Sequence, residues 1–100
     1  MSEKEFDIAR SVHMTEGLQC QMLTLLSGFY EAMHKNASKA EKTELLADLE
    51  TALYLMGQRL GISPETLDRK AAANVRLSLL QEEKSLWRED LLEVLRRLEK

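Results

Sequence analysis

Apolar residues recur along this chain at helical spacing, in three runs separated by short polar breaks. Placing residues about 100° apart gathers Ile8, Val12, Leu18, Met22, Leu23, Leu25, Leu26, Phe29, Tyr30 and Met33 into one arc. That arc covers about half of the circumference, wider than the seam of a two-stranded coiled coil. His13, Gly17, Cys20, Thr24, Ser27, Gly28, Glu31 and His34 occupy the opposite arc. Ser2 and Glu5 have the spacing of a capping box, which opens a helix, and the pattern fades near Asn36. Gly17 is the expected place for a bend, because glycine weakens a helix by up to about 1 kcal/mol relative to alanine.

A second box, Ser38 with Glu41, precedes a stripe of Leu45, Leu46, Leu49, Ala52, Leu53, Met56 and Leu60. Lys42, Asp48, Glu50 and Arg59 fall outside this stripe, and Gly61 is placed to close the helix in the left-handed conformation. Tyr54 lies opposite the stripe and is expected to be an exposed ring. Ser63-Pro64-Glu65 then combines a capping hydroxyl, a proline at the first helical position and an acid at the positive end of the dipole.

From Pro64 the pattern runs to the C-terminus without a breaker, a helix of about 50 Å at 1.5 Å per residue. A change of direction is expected within Ala71-Ala72-Ala73-Asn74. Leu77, Leu80, Trp87, Leu91, Val94, Leu95 and Leu98 make one stripe here, with Trp87 expected in the core. Val75, Leu79 and Leu86 make a second stripe about a third of a turn away. A three-helix hairpin needs one apolar face per helix, so the surplus on the first and last helices predicts a second protein chain. Val75, Leu79, Leu86 and Tyr54 are the candidate interface with that chain, and a homodimer is the expected assembly.

Composition supports this outline. One Pro, four Gly and 5% aromatic residues among 100, with 44% hydrophobic and 31% charged, suit long helices rather than sheets. The fold class is therefore all-α: a small antiparallel bundle of three to four helices, dimeric, in one domain spanning 1–100 with helices at about 3–35, 38–60 and 64–98. A net charge of −3 argues against wholesale attraction to nucleic acid or to an anionic membrane. The lone Cys20 forms no internal disulfide, and the charged start lacks the apolar stretch of a signal peptide. The charge-free run from Gly17 to Tyr30 is too short to span a bilayer, which requires about 20 apolar residues. A cytoplasmic location with no membrane partner is expected.

Candidate chemistry is sparse. His13, Glu16 and Cys20 rise along one helical face, but a zinc site normally adds further strong ligands such as a Cys-x-x-Cys pair. Neither His13 nor His34 reaches Cys20 within one straight helix, which leaves that thiol without a base. Glu82-Glu83 and Glu89-Asp90 alternate with Lys84 and Arg88, the pattern of a solvated, salt-bridged face. The glycines form no phosphate-binding loop. No catalytic residue, metal or cofactor is expected, and so no enzyme activity.

Around the second break, Gly57, Leu60, Gly61, Ile62 and Leu67 fall at the offsets of a helix-turn-helix. The stretch 53–72 resembles that motif, and the resemblance implies DNA contacts from Thr66, Arg69, Lys70 and Arg76. Glu65 and Asp68 would then face phosphates at the leading end of the recognition helix. The reading that best fits the surplus of apolar surface is a small regulatory or adaptor protein, acting through a helical surface on itself and on another, unidentified protein. DNA-binding transcriptional regulation is the alternative.

Overall fold

A computed structural model describes residues 2–100, and all regular structure in them is helical. Four α-helices, α1 (Glu3–His34), α2 (Lys39–Arg59), α3 (Pro64–Leu79) and α4 (Arg88–Leu98), are joined by turns and one 3₁₀ segment, Glu82–Trp87. They form two compact units, 1–61 and 62–100, with the division falling at Gly61 inside the stretch taken as a single domain.

In the first unit the capping box is in place. Ser2 Oγ accepts from the Glu5 N–H at 3.2 Å, and the Glu5 carboxylate accepts from the Ser2 N–H at 3.3 Å. The expected bend at Gly17 does not occur, since α1 continues through it as one helix. Asn36 adopts φ +53°, and the Ala37 N–H donates to the Ala32 carbonyl at 2.9 Å, which closes the helix end. Ser38 Oγ then accepts from the Glu41 N–H at 3.1 Å and opens α2. Gly61, at φ +78°, supplies the turn that follows α2.

The two helices run antiparallel. Ala32, Ala52 and Gly57 are buried, and Leu45 lies over Gly28, where an added Cβ would sit 3.5 Å from the Leu45 side chain. Small residues at these positions let the backbones approach closely, and Leu18, Met22, Leu25, Phe29, Leu49 and Met56 fill the margin as half-buried side chains. The broad apolar arc of α1 is thereby divided. Ile8, Val12, Leu23, Leu26, Tyr30 and Met33 form an exposed stripe about 100° from the packed one. On α2, Leu46, Leu53 and Leu60 are exposed at successive seven-residue intervals. Both stripes are offset in the direction of chain advance, and in antiparallel helices that direction is reversed. They therefore share one side of the hairpin. Tyr54 is half-buried, in contrast to the exposed ring that its place opposite the stripe predicts.

The second unit departs further from the helical pattern. α3 starts as expected: Ser63 Oγ accepts from the Thr66 N–H at 3.1 Å and donates to Thr66 Oγ1 at 2.9 Å. The change of direction, however, is at Leu80–Gln81 and not in the alanine run. Gln81 is extended (φ −90°, ψ 126°), and the Gln81 N–H bonds the Ser78 carbonyl at 3.0 Å. Burial explains the shift. Folding back at Gln81 packs α4 against α3, where Leu91, Leu92, Leu95 and Leu98 on α4 and Ala71, Val75 and Leu79 on α3 are half-buried and Ala72 is buried. A break at 71–74 would have discarded the buried Ala72 that permits this close approach.

A helix running straight from 64 to 98 is thus replaced by two helices and a 3₁₀ segment, and Leu79 and Leu86 no longer share a helical stripe. Val75 and Leu79 are half-buried within the unit, whereas Leu86 is 94% exposed. Trp87, expected in the core, is exposed.

Candidate functional site

The hairpin of α1 and α2 has an open groove on the side opposite its exposed apolar stripes. Met14, Gly17, Leu18 and Gln21 of α1 and Leu55, Gln58 and Arg59 of α2 line a cavity of about 340 Å³. Local helix geometry accounts for this set. Met14, Gly17 and Gln21 are three and four residues apart and rise along one side of α1, while Leu55, Gln58 and Arg59 do the same on α2. Gly17 makes the notch: a Cβ placed there would meet nothing within 4 Å.

The groove has an apolar lining of Met14, Leu18 and Leu55. Two carboxamides and one guanidinium stand around it. This combination suits a flat, largely apolar ring with hydrogen-bonding edges and an attached anion. Along the same side of α2, toward its N-terminus, come Asp48, Glu44 and Glu41. Asp48 is two turns, about 10 Å, from Leu55.

Of the residues singled out from the sequence, Arg69 and Arg76 line one groove of about 300 Å³ in the second unit, together with Glu65, Asp68 and Glu99. Arg76 is ion-paired with Glu99, and Thr66 is engaged in the Ser63 cap. Lys70 is exposed on α3 outside that groove. His13, Glu16 and Cys20 are exposed on α1. Sequence reasoning missed Gln21, Gln58 and Arg59. The available signal was the small residue Gly17 set between Met14 and Gln21, which had been read only as a weak point of the helix.

A family model, the MazG-like family, matches residues 8–91. The chain belongs to the MazG-like family. No curated protein and no solved structure matches it. The MazG-like match takes in all of α2, α3 and the groove, and the family is a helical domain of the nucleoside triphosphate pyrophosphohydrolase type. This overturns the expectation of no enzyme activity. That expectation rested on the absence of familiar catalytic motifs, and a helical bundle assembles its site from residues dispersed over facing helices.

A resident divalent metal would require converging carboxylates. In this MazG-like chain Glu41, Glu44 and Asp48 stand in a row, and among the described residues no three His, Cys, Asp or Glu side chains gather into a metal-holding group. A cation carried on a triphosphate belongs to the substrate. No helix among the described residues is long and apolar enough to cross a membrane.

Proposed function

We propose that this chain acts on nucleoside triphosphates, hydrolysing the anhydride between the first and second phosphorus atoms to give a nucleoside monophosphate and pyrophosphate. Family membership across residues 8–91 carries the reading. The groove supplies chemistry in its support. Met14, Leu18 and Leu55 offer apolar contact to the face of a base, and the Gln21 and Gln58 amides bring both donors and acceptors to its edge. Arg59 presents planar donors to phosphate oxygens. Asp48, on the same side of α2, is the carboxylate offered to the attacking water: the water oxygen bonds to phosphorus, its proton passes to Asp48, and pyrophosphate leaves. A cytoplasmic setting belongs to the same reading.

Phosphorus NMR of the full chain with each common nucleoside triphosphate and magnesium tests the proposal. The expected result is monophosphate and pyrophosphate from at least one nucleotide. If no nucleotide is consumed and none raises the melting temperature, the reading is abandoned.

A regulatory role through protein contacts is favoured by a separate observation. No large side chain is fully buried among the described residues, and many large apolar ones lie exposed on the helices. Such contacts would act beside the nucleotide chemistry and do not replace it.

A further inference from the structure

We infer that the groove between α1 and α2 selects adenine among the common bases, an assignment that rests on the nucleotide reading of that groove. Gln21 and Gln58 make the choice, one amide on each of two edges of the base. They come from facing helices, and the hairpin register sets their separation. Leu45 packs over Gly28, so Gln58, thirteen residues further along α2, is level with Thr15 on the antiparallel α1. Gln21 is six residues from that level, about 9 Å along the axis. Gly17 falls between the two, and a Cβ there would meet nothing within 4 Å, so a flat ring has room to lie over the notch.

Hydrogen-bond pattern then decides which ring. A primary amide offers a donor and an acceptor side by side. Adenine presents the complement twice: its N6 amino group beside N1 on the pairing edge, and the same amino group beside N7 on the major-groove edge. Two hydrogen bonds of about 3 Å, with the width of the ring between them, span a distance comparable to that between the amides. Guanine shows two acceptors, O6 and N7, on its second edge, where an amide oxygen is repelled. Cytosine and uracil have a single pairing edge and leave one amide without a partner.

The rest of the lining agrees. Met14, Leu18 and Leu55 cover the ring faces. Among the described residues that line the cavity none is an acid, the group suited to the adjacent N1 and N2 donors of guanine. A cavity of about 340 Å³ is at the small end for ligand sites. It takes the base, while ribose and phosphate reach outward to Arg59 beside Gln58.

Titration calorimetry of the full chain with AMP, GMP, CMP and UMP tests this, because monophosphates keep the base and contain no anhydride to hydrolyse. AMP should bind at least about tenfold more tightly than the other three. Replacing N7 by carbon, in 7-deaza-AMP, should cost about tenfold, and so should Gln21→Leu and Gln58→Leu singly. Both side chains are exposed, so helical circular dichroism should be retained. One of these variants should bind AMP and 7-deaza-AMP equally, which identifies the amide that reads N7. The double variant should lose the preference for adenine altogether.

Equal affinity for the four monophosphates, binding of none of them, or an AMP preference that survives the double variant would each overturn the inference. Phosphorus NMR on the triphosphates keeps it distinct from the hydrolysis. Base-indifferent hydrolysis leaves the reaction standing without the selectivity, and AMP-selective binding without hydrolysis leaves the selectivity standing without the reaction.

Discussion

The two sides of the first hairpin are built from the same pair of helices and are chemically opposite. One carries Leu23, Leu26, Tyr30, Leu46 and Leu53 and no charge at its centre. The other carries Gln21, Gln58 and Arg59 around a groove notched by Gly17, with the acids Asp48, Glu44 and Glu41 farther along the same side of α2. Between them run the small residues Ala32, Ala52 and Gly57, which hold the backbones close and leave both sides open. About half a turn in helical phase thus separates a surface suited to another protein from a surface suited to a small polar molecule. Hydrophobic content alone does not distinguish them, since Met14 and Leu55 are as exposed as Leu46 and Leu53. The discriminating feature is what stands beside the apolar group: another apolar stripe on one side, amides and a guanidinium on the other.

The comparison can be broken most severely at the seam. Ala52→Leu forces a large side chain between α1 and α2 at a position 1% exposed. It should cost about 1–3 kcal/mol, and thermal melting should show a drop of roughly 5–20 °C. Both sides should then lose their function together. Next in size, Arg59→Ala should weaken nucleoside triphosphate binding by about tenfold, the loss of a charge-assisted hydrogen bond, as read by titration calorimetry. Solution mass should not change, because Arg59 lies on the groove side. A change in mass with affinity unaltered would mean that the assignment of the two sides is reversed.

Gly17→Ala sharpens the contrast by giving effects of opposite sign. The new methyl group meets open space, so the helix should gain about 0.5–1 kcal/mol in a denaturant melt, while nucleotide affinity falls because the notch is filled. Affinity that is unchanged in the stabilised variant would remove Gly17 from the binding surface. The smallest effect is expected at Arg96→Gln. Its ion pair with Glu93 is exposed on α4, and the loss should stay within about 0.5 kcal/mol, with neither mass nor affinity altered.

Much of the secondary structure was legible in the sequence. Ser2, Ser38 and Ser63 each accept a hydrogen bond from the backbone three residues on, and Gly61 takes the left-handed conformation. These are local interactions, decided within one turn of chain. The break at Leu80–Gln81 was not legible, because no glycine or proline marks it and the α3–α4 contact supplies its reason. The groove was hidden for the same reason: Gln21 and Arg59 are 38 positions apart and meet only through the hairpin register. Without that meeting there was no motif to find, and the absence of motifs was misread as the absence of an enzyme.

By itself, then, the sequence determined that the chain is helical, where its first two helices begin and end, and that it carries more apolar surface than one small bundle can bury. Caps, turns and periodicity act over three or four residues, and the amino acids specify them directly. Tertiary structure decided where the last long pattern folds back, that Tyr54 is half-buried while Trp87 is exposed, and how the broad apolar arc of α1 divides into a packed stripe and a free one. Periodicity reports the angle of a residue around its own helix. Only the placement of a neighbouring helix determines which of those angles is buried.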